Sequence, residues 1–195
     1  MIDLNFLPGA TMRNPIRLAI VVTAALMVAA PLRAQTRQGL MGDLLKAVAE
    51  VETKVMGLAK ALPESAYEWS PGKGVRSTRE VLLHVAADNY FIPGALGATP
   101  PPETGITKDY KTAAAFEKKT MTRDALIAEL EKSFAFLKKS MSSVPDEKLD
   151  APMDFFGSKS TGRAAWLTTV THLHEHLGQL IAYARSNSVR PPWSK

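Results

Sequence analysis

Three of the four histidines in this chain fall within five residues, His172-Leu173-His174-Glu175-His176. Positions i and i+4 of a helix emerge about 40° apart on one face, so His172 and His176 can reach a single metal ion. His174 points to the opposite side. The fourth, His84, lies in Val81-Leu82-Leu83-His84-Val85, where an imidazole among apolar neighbours needs partners for its ring nitrogens. A third imidazole from a facing helix would complete a three-histidine set with a position left for water or substrate, as in catalytic rather than structural metal sites. Such an ion lowers the pKa of bound water toward neutrality, or polarises a substrate oxygen or thiol. Three neutral ligands leave the ion's charge uncompensated, so an anionic ligand or substrate is favoured. Spacing alone equally admits a buried His84 bonded to a backbone carbonyl, and it does not choose among zinc, nickel, copper and iron.

Other side chains could act beside such an ion. Asp88 is one helical turn after His84 and offers a fourth ligand or an acceptor behind one. Tyr90, Glu52, Glu50 and Arg185 are acid or base candidates, Glu52 and Glu50 with an ordinary exposed reading beside it, and Glu175 reads as a solvated surface charge. Gly178 inside a helical pattern weakens it relative to alanine, so it is expected to permit a close helix approach. Tyr183 and Arg185 are expected to anchor the C-terminal tail, and Trp193 to pack on the bundle or on a dimer partner.

The elements that position these residues follow from the proline map. The chain has 195 residues, 46% hydrophobic and 22% charged, with 13 Pro, 12 Gly and no Cys, which excludes collagen-like, disulfide-rich and wholly disordered classes. Residues 18–30, LAIVVTAALMVAA, follow Arg13 and Arg17 and precede Ala34. That pattern reads as a secretory signal over residues 1–34, with Met12 an alternative start and an uncleaved anchor helix the competing reading. The mature domain is then 35–195, periplasmic or secreted, with no stable membrane span after cleavage. Its basic residues are interleaved with acids, which argues against nucleic acid as a partner.

Because proline is excluded from helix interiors, the proline-free windows 32–62, 72–92, 103–144 and 153–190 predict four helices. The first carries Leu40, Leu44, Val48, Val51, Val55, Leu58 and Leu62 at helical spacing. The second starts at the capping box Ser77-Thr78-Arg79-Glu80 and is expected to stop near Pro93-Gly94. Thr122 caps the third, with the stripe Leu126, Leu130, Phe134, Leu137 and Met141. The fourth starts near Ser160 or Thr161 and carries Trp166, Val170, Leu173, Leu177, Leu180 and Ala184. Residues 94–120 form a connection too long for a tight turn, either a loop covering a site or a linker. No segment alternates with period two for long, so the expected class is all-α, a four-helix bundle.

LLHVAADNYF at 82–91 and HLHEHLGQLIAYARSNSVRPPWS at 172–194 together resemble the DinB-like superfamily, also called damage-inducible or YfiT-like, of metal-dependent hydrolases. The family pattern falls on His84, His172, His176, Gly178, Gln179, Leu180, Tyr183, Arg185, Pro191 and Pro192. Trp69-Ser70-Pro71 through Val75-Arg76-Ser77 is also similar. The resemblance implies an up-down-down-up bundle with a long link between the second and third helices. It also implies His84, His172 and His176 as ligands of a divalent metal, zinc or nickel, and a homodimer. Family activities include thiol-dependent isomerisation and thiol transfer, which an exported protein would perform away from the cytoplasmic thiol pool. The leading expectation is therefore an exported metal-dependent hydrolase or thiol-type transferase acting on an unidentified small molecule. The competing one is a metal- or ligand-holding bundle without turnover, in an envelope stress response.

Overall fold

The computed structural model describes residues 38–194, and the expected signal at 1–34 lies outside the described residues. Four long helices carry the fold: α1 (Leu40–Ala61), α3 (Thr78–Ala95), α5 (Arg123–Ser142) and α6 (Gly162–Ser186). Short helices α2 (Glu64–Tyr67) and α4 (Tyr110–Phe116) and a hairpin of β1 (Pro152–Phe155) with β2 (Ser158–Thr161) fill the connections. No helix among the described residues is long and apolar enough to cross a membrane.

The predicted stripes form the core. Leu44, Val48, Val51, Val55, Leu58 and Leu62 of α1, Leu126, Leu130, Phe134, Leu137 and Met141 of α5, and Trp166, Val170, Leu173, Leu177, Leu180 and Ala184 of α6 are all buried, while Leu40 packs at the edge. The caps also fall where their chemistry requires. Ser77 and Glu80 form a reciprocal capping box on α3, and Thr122 and Thr161 accept backbone N–H bonds at the starts of α5 and α6. Helix α3 differs from the others in being buried on every side from Val81 to Gly94, as expected of a helix apolar around its whole circumference.

Side-chain pairs fix the helix directions. Arg79 reaches Met121 and Asn89 reaches Ser133, so α3 and α5 are parallel. Arg123 reaches the Lys60 carbonyl while Lys138 meets Glu52, so α1 and α5 are antiparallel. Tyr183 reaches Arg76 and His172 reaches Asp88, so α3 and α6 are antiparallel too. The bundle is thus up-down-down-up, with parallel neighbours joined by the crossover expected between the second and third helices.

Four features depart from the sequence reading. Helix α3 runs through Pro93 and ends two residues later at Ala95, so the proline interrupts only its last turn. The 94–120 connection covers α3 beside His84, as one of the two readings expected, but with α4 and a short 3-10 turn at Pro102–Thr104 rather than bare loop. The β1–β2 hairpin was not expected, because its strands bury only Phe155 and lack an apolar alternation. Open space surrounds Gly178 where a Cβ would stand, so it does not serve helix approach. Trp193, with Pro192, instead lies over Gly57 of α1, half-exposed.

Tyr67 of α2 is fully buried, and its hydroxyl donates to the Ala59 carbonyl at 2.6 Å. Burial pushes its phenol up to about 12, with Arg123 and Arg79 opposing in part. The native state thus favours the protonated phenol, and the stabilisation is complete below the unfolded value near 10 and lost as pH rises through about 12. Urea unfolding should therefore show wild type more stable than Tyr67→Phe by about 1 kcal/mol at neutral pH. That margin should shrink between about pH 10 and 12.

Candidate metal centre

Two antiparallel helices bring the histidines together. His84 and Asp88 lie one turn apart on α3, and His172 and His176 lie one turn apart on the facing side of α6. The His176 and His172 Nε2 atoms are 3.2 Å apart, and the Asp88 Oδ2 is 2.8 Å from His172 Nε2 and 3.4 Å from His84 Nε2. Ligand atoms from all three imidazoles lie within 4.8 Å of one another. Nitrogens about 2.0–2.1 Å from a tetrahedral ion would stand roughly 3.3–3.4 Å apart, so the donor set fits a divalent metal with little adjustment.

The outward nitrogens are held as well. His84 Nδ1 donates to Glu117 Oε1 at 2.7 Å, and His176 Nδ1 donates to Gln179 Oε1 at 3.0 Å. His172 Nδ1 faces the exposed Glu175 carboxylate at 3.8 Å. Behind Gln179 the chain of bonds continues, its amide donating to the Tyr183 hydroxyl at 2.8 Å and that hydroxyl donating to the Arg76 carbonyl at 3.0 Å. A carboxylate or carbonyl behind a ligating histidine fixes the tautomer that turns Nε2 toward the ion. His84 and His176 have such a partner within hydrogen-bond reach.

Charges around the cluster follow these contacts. Burial raises the Glu117 carboxyl, but the His84 hydrogen bond and the His84 and Arg76 charges outweigh it and hold Glu117 below the usual carboxylate range. The bond to Asp88 raises His172 against the effect of burial. His176 is lowered, chiefly by burial, with His172 and His84 adding to it.

Not every residue singled out in the sequence reaches the cluster. His174 turns away, with Nδ1 on the Val170 carbonyl at 2.8 Å. The Tyr90 hydroxyl donates to Glu129, Glu52 pairs with Lys138, and Glu50 and Arg185 are exposed. Glu117 was not anticipated. It is the cap residue at the end of α4, and nothing in the spacing of Glu117-Lys118-Lys119 distinguishes it from a solvated charge. A surface cavity of about 520 Å³ between Pro93, Met153 and Trp166 has no carboxylate or imidazole in its lining and so offers no comparable chemistry.

A family model described as the DinB superfamily matches residues 47–180. The chain belongs to the DinB superfamily. Solved members share its fold. A DinB-like protein from Bacillus cereus superposes with a TM-score of 0.65 at 18% identity, covering 80% of this chain and 97% of its own. A DinB-like protein from Bacillus subtilis gives 0.58 at 18%, covering 76% and 93%. YfiT from Bacillus subtilis gives 0.57 at 14%, covering 79% and 93%, and is described as a probable metal-dependent hydrolase with an unusual four-helix bundle topology. No curated protein matches the chain. At these identities the likeness establishes the DinB fold, and the histidine geometry stands on this chain's own residues.

If Glu117 orients His84, Glu117→Ala should weaken zinc affinity by about 10–100-fold in a competitive chelator titration. His174→Ala should leave it unchanged, and the helical circular dichroism signal should be retained in both.

Proposed function

We propose that this DinB-superfamily chain is an exported metal-dependent hydrolase in which His84, His172 and His176 hold one divalent ion, zinc or nickel. The observation that carries the reading is the convergence of three imidazoles whose Nε2 atoms face one point, with Nδ1 of His84 and His176 held from behind. Bound there, the ion would supply Lewis acidity and the activation of water near neutral pH.

The chain's own residues complete the arrangement. The buried Asp88 Oδ2 lies against the His172 and His84 Nε2 atoms, where it can accept a proton from water or add negative charge to the site. Glu117 and Gln179 hold two imidazoles against rotation, and the His84 bond, with Arg76 adding to it, keeps Glu117 ionised. The His172 side chain retains 28% exposure, so the cluster is open on the α6 side. That opening supports turnover over the alternative of a sealed bundle that only stores metal. The leader-like residues 18–30 support export, and export away from the cytoplasmic thiol pool favours hydrolysis over thiol transfer.

Inductively coupled plasma mass spectrometry on the full chain should find about one zinc or nickel per chain. The His172→Ala, His176→Ala double variant should retain none, while its helical signal persists. No metal in wild type after reconstitution with either ion would end the metalloenzyme reading. With metal bound, Asp88→Asn should keep the ion but lower hydrolysis of an activated ester such as 4-nitrophenyl acetate by about 10²-fold or more.

A further inference from the structure

A cavity of about 520 Å³ lies at the end of the bundle where α3 and α5 finish and α6 begins, a volume in the range of small-molecule sites. Pro93 of α3 and Trp166 of α6 line it. They stand about 14 Å along α3 from His84 and about 9 Å along α6 from His172. No histidine lines the cavity, so it is separate from the metal cluster. Buried Pro93 and Leu149 and half-buried Met153 give it an apolar wall.

Its unused polar groups are few and of one kind. Trp166 keeps only 3% of its surface, yet its indole N–H makes no hydrogen bond among the described residues. That nitrogen is not sealed either, because Thr78 Oγ1 is the one unbonded side-chain polar atom cut off from solvent among the described residues. The indole N–H therefore opens onto the cavity that Trp166 lines. A tryptophan this deeply buried ordinarily spends its donor on an acceptor. Lys148 stands exposed at the rim, with no ion pair or side-chain hydrogen bond among the described residues. Of the neighbouring acids, Asp150 holds Arg163 through both oxygens and Asp146 lies against Gly39, and none lines the cavity. Ser140 and Ser143 spend their hydroxyl protons on the Phe136 and Ser140 carbonyls. The indole and the ammonium are left as the free side-chain donors.

We propose that this cavity binds a small organic carboxylate with an apolar body. The carboxylate accepts from Trp166 Nε1–H and pairs with Lys148, and the body lies against Pro93, Leu149 and Met153. A buried donor without an acceptor and a buried anion without donors are each unfavourable, so ligand and site complete one another. Binding here does not depend on metal at the histidines.

The test titrates 2-naphthoate into the isotope-labelled full chain, with acetate and the neutral 2-naphthalenemethanol as controls. Three indole N–H signals are expected in the nuclear magnetic resonance spectrum, from Trp69, Trp166 and Trp193, and Trp166→Phe identifies its own by loss. Naphthoate should move the Trp166 signal and leave the other two in place, with a calorimetric Kd below about 1 mM. The neutral control should bind about tenfold more weakly, and acetate not measurably. Trp166→Phe should weaken naphthoate binding about tenfold, and Lys148→Gln about threefold, with the helical circular dichroism signal retained. Lys148→Gln, at an exposed position, keeps the proposal testable if Trp166→Phe does not fold. The His172→Ala, His176→Ala variant should bind naphthoate as wild type does. Loss of binding in that variant would place the carboxylate at the histidines and overturn the cavity site. A Trp166 signal that does not move, or equal affinity in wild type, Trp166→Phe and Lys148→Gln, would overturn it too and leave the metal reading intact.

Discussion

Two parallel helices packed side by side cannot be joined by a tight turn. After α3 the chain must travel back the whole length of that helix before α5 can start beside its beginning. Here the return path is residues 96–122, and it is built to do more than connect. Helix α4 lies antiparallel on α3, buries a side of α3 that solvent would otherwise reach, and sets one carboxylate against His84. Without that cover His84 would lose the Glu117 carboxylate that holds its Nδ1. The topology thus creates the burial, and burial makes the polar contacts of α3 obligatory.

The same economy shows on α6. His172, His176, Gln179 and Tyr183 recur at intervals of three and four along one face, so one rigid helix carries two candidate ligands and the residues that steady one of them. The Tyr183 hydroxyl then closes onto the Arg76 carbonyl, immediately before the α3 capping box, and the Arg76 side chain reaches Glu117. Three elements that share no sequence proximity are held by one connected set of hydrogen bonds. Such a network is strong when complete and weak when partly broken, because each buried group left unpaired carries its full desolvation penalty.

Much of this was legible in the sequence because the controlling signals are local. Apolar residues at helical spacing marked α1, α5 and α6, and the Ser77 to Glu80 box marked the start of α3. The i, i+4 pair His172 and His176 marked one half of the site, and the isolated His84 in an apolar run marked the other. What escaped notice depends on long-range placement. Glu117 is one charge in a charged stretch until α4 is laid on α3. The hairpin is held by its strand pairing and by Phe156 stacked on Phe91 rather than by an alternating apolar face, so no period-two pattern announced it. Gly178 was expected to bring helices together, yet it faces open space, since a glycine's helix cost is visible in sequence while its surroundings are not.

The crossover also sets how the chain can tolerate changes of length. From Tyr110 to Glu117 the α4 helix is in register with α3, and adding or removing one residue there would rotate Glu117 by about 100° away from His84. Between Gly97 and Asp109, by contrast, extra residues enlarge a loop whose closure entropy grows only slowly with length. Insertions and deletions among relatives should therefore concentrate in the first half of the crossover, and the second half should behave as a ruler of fixed length.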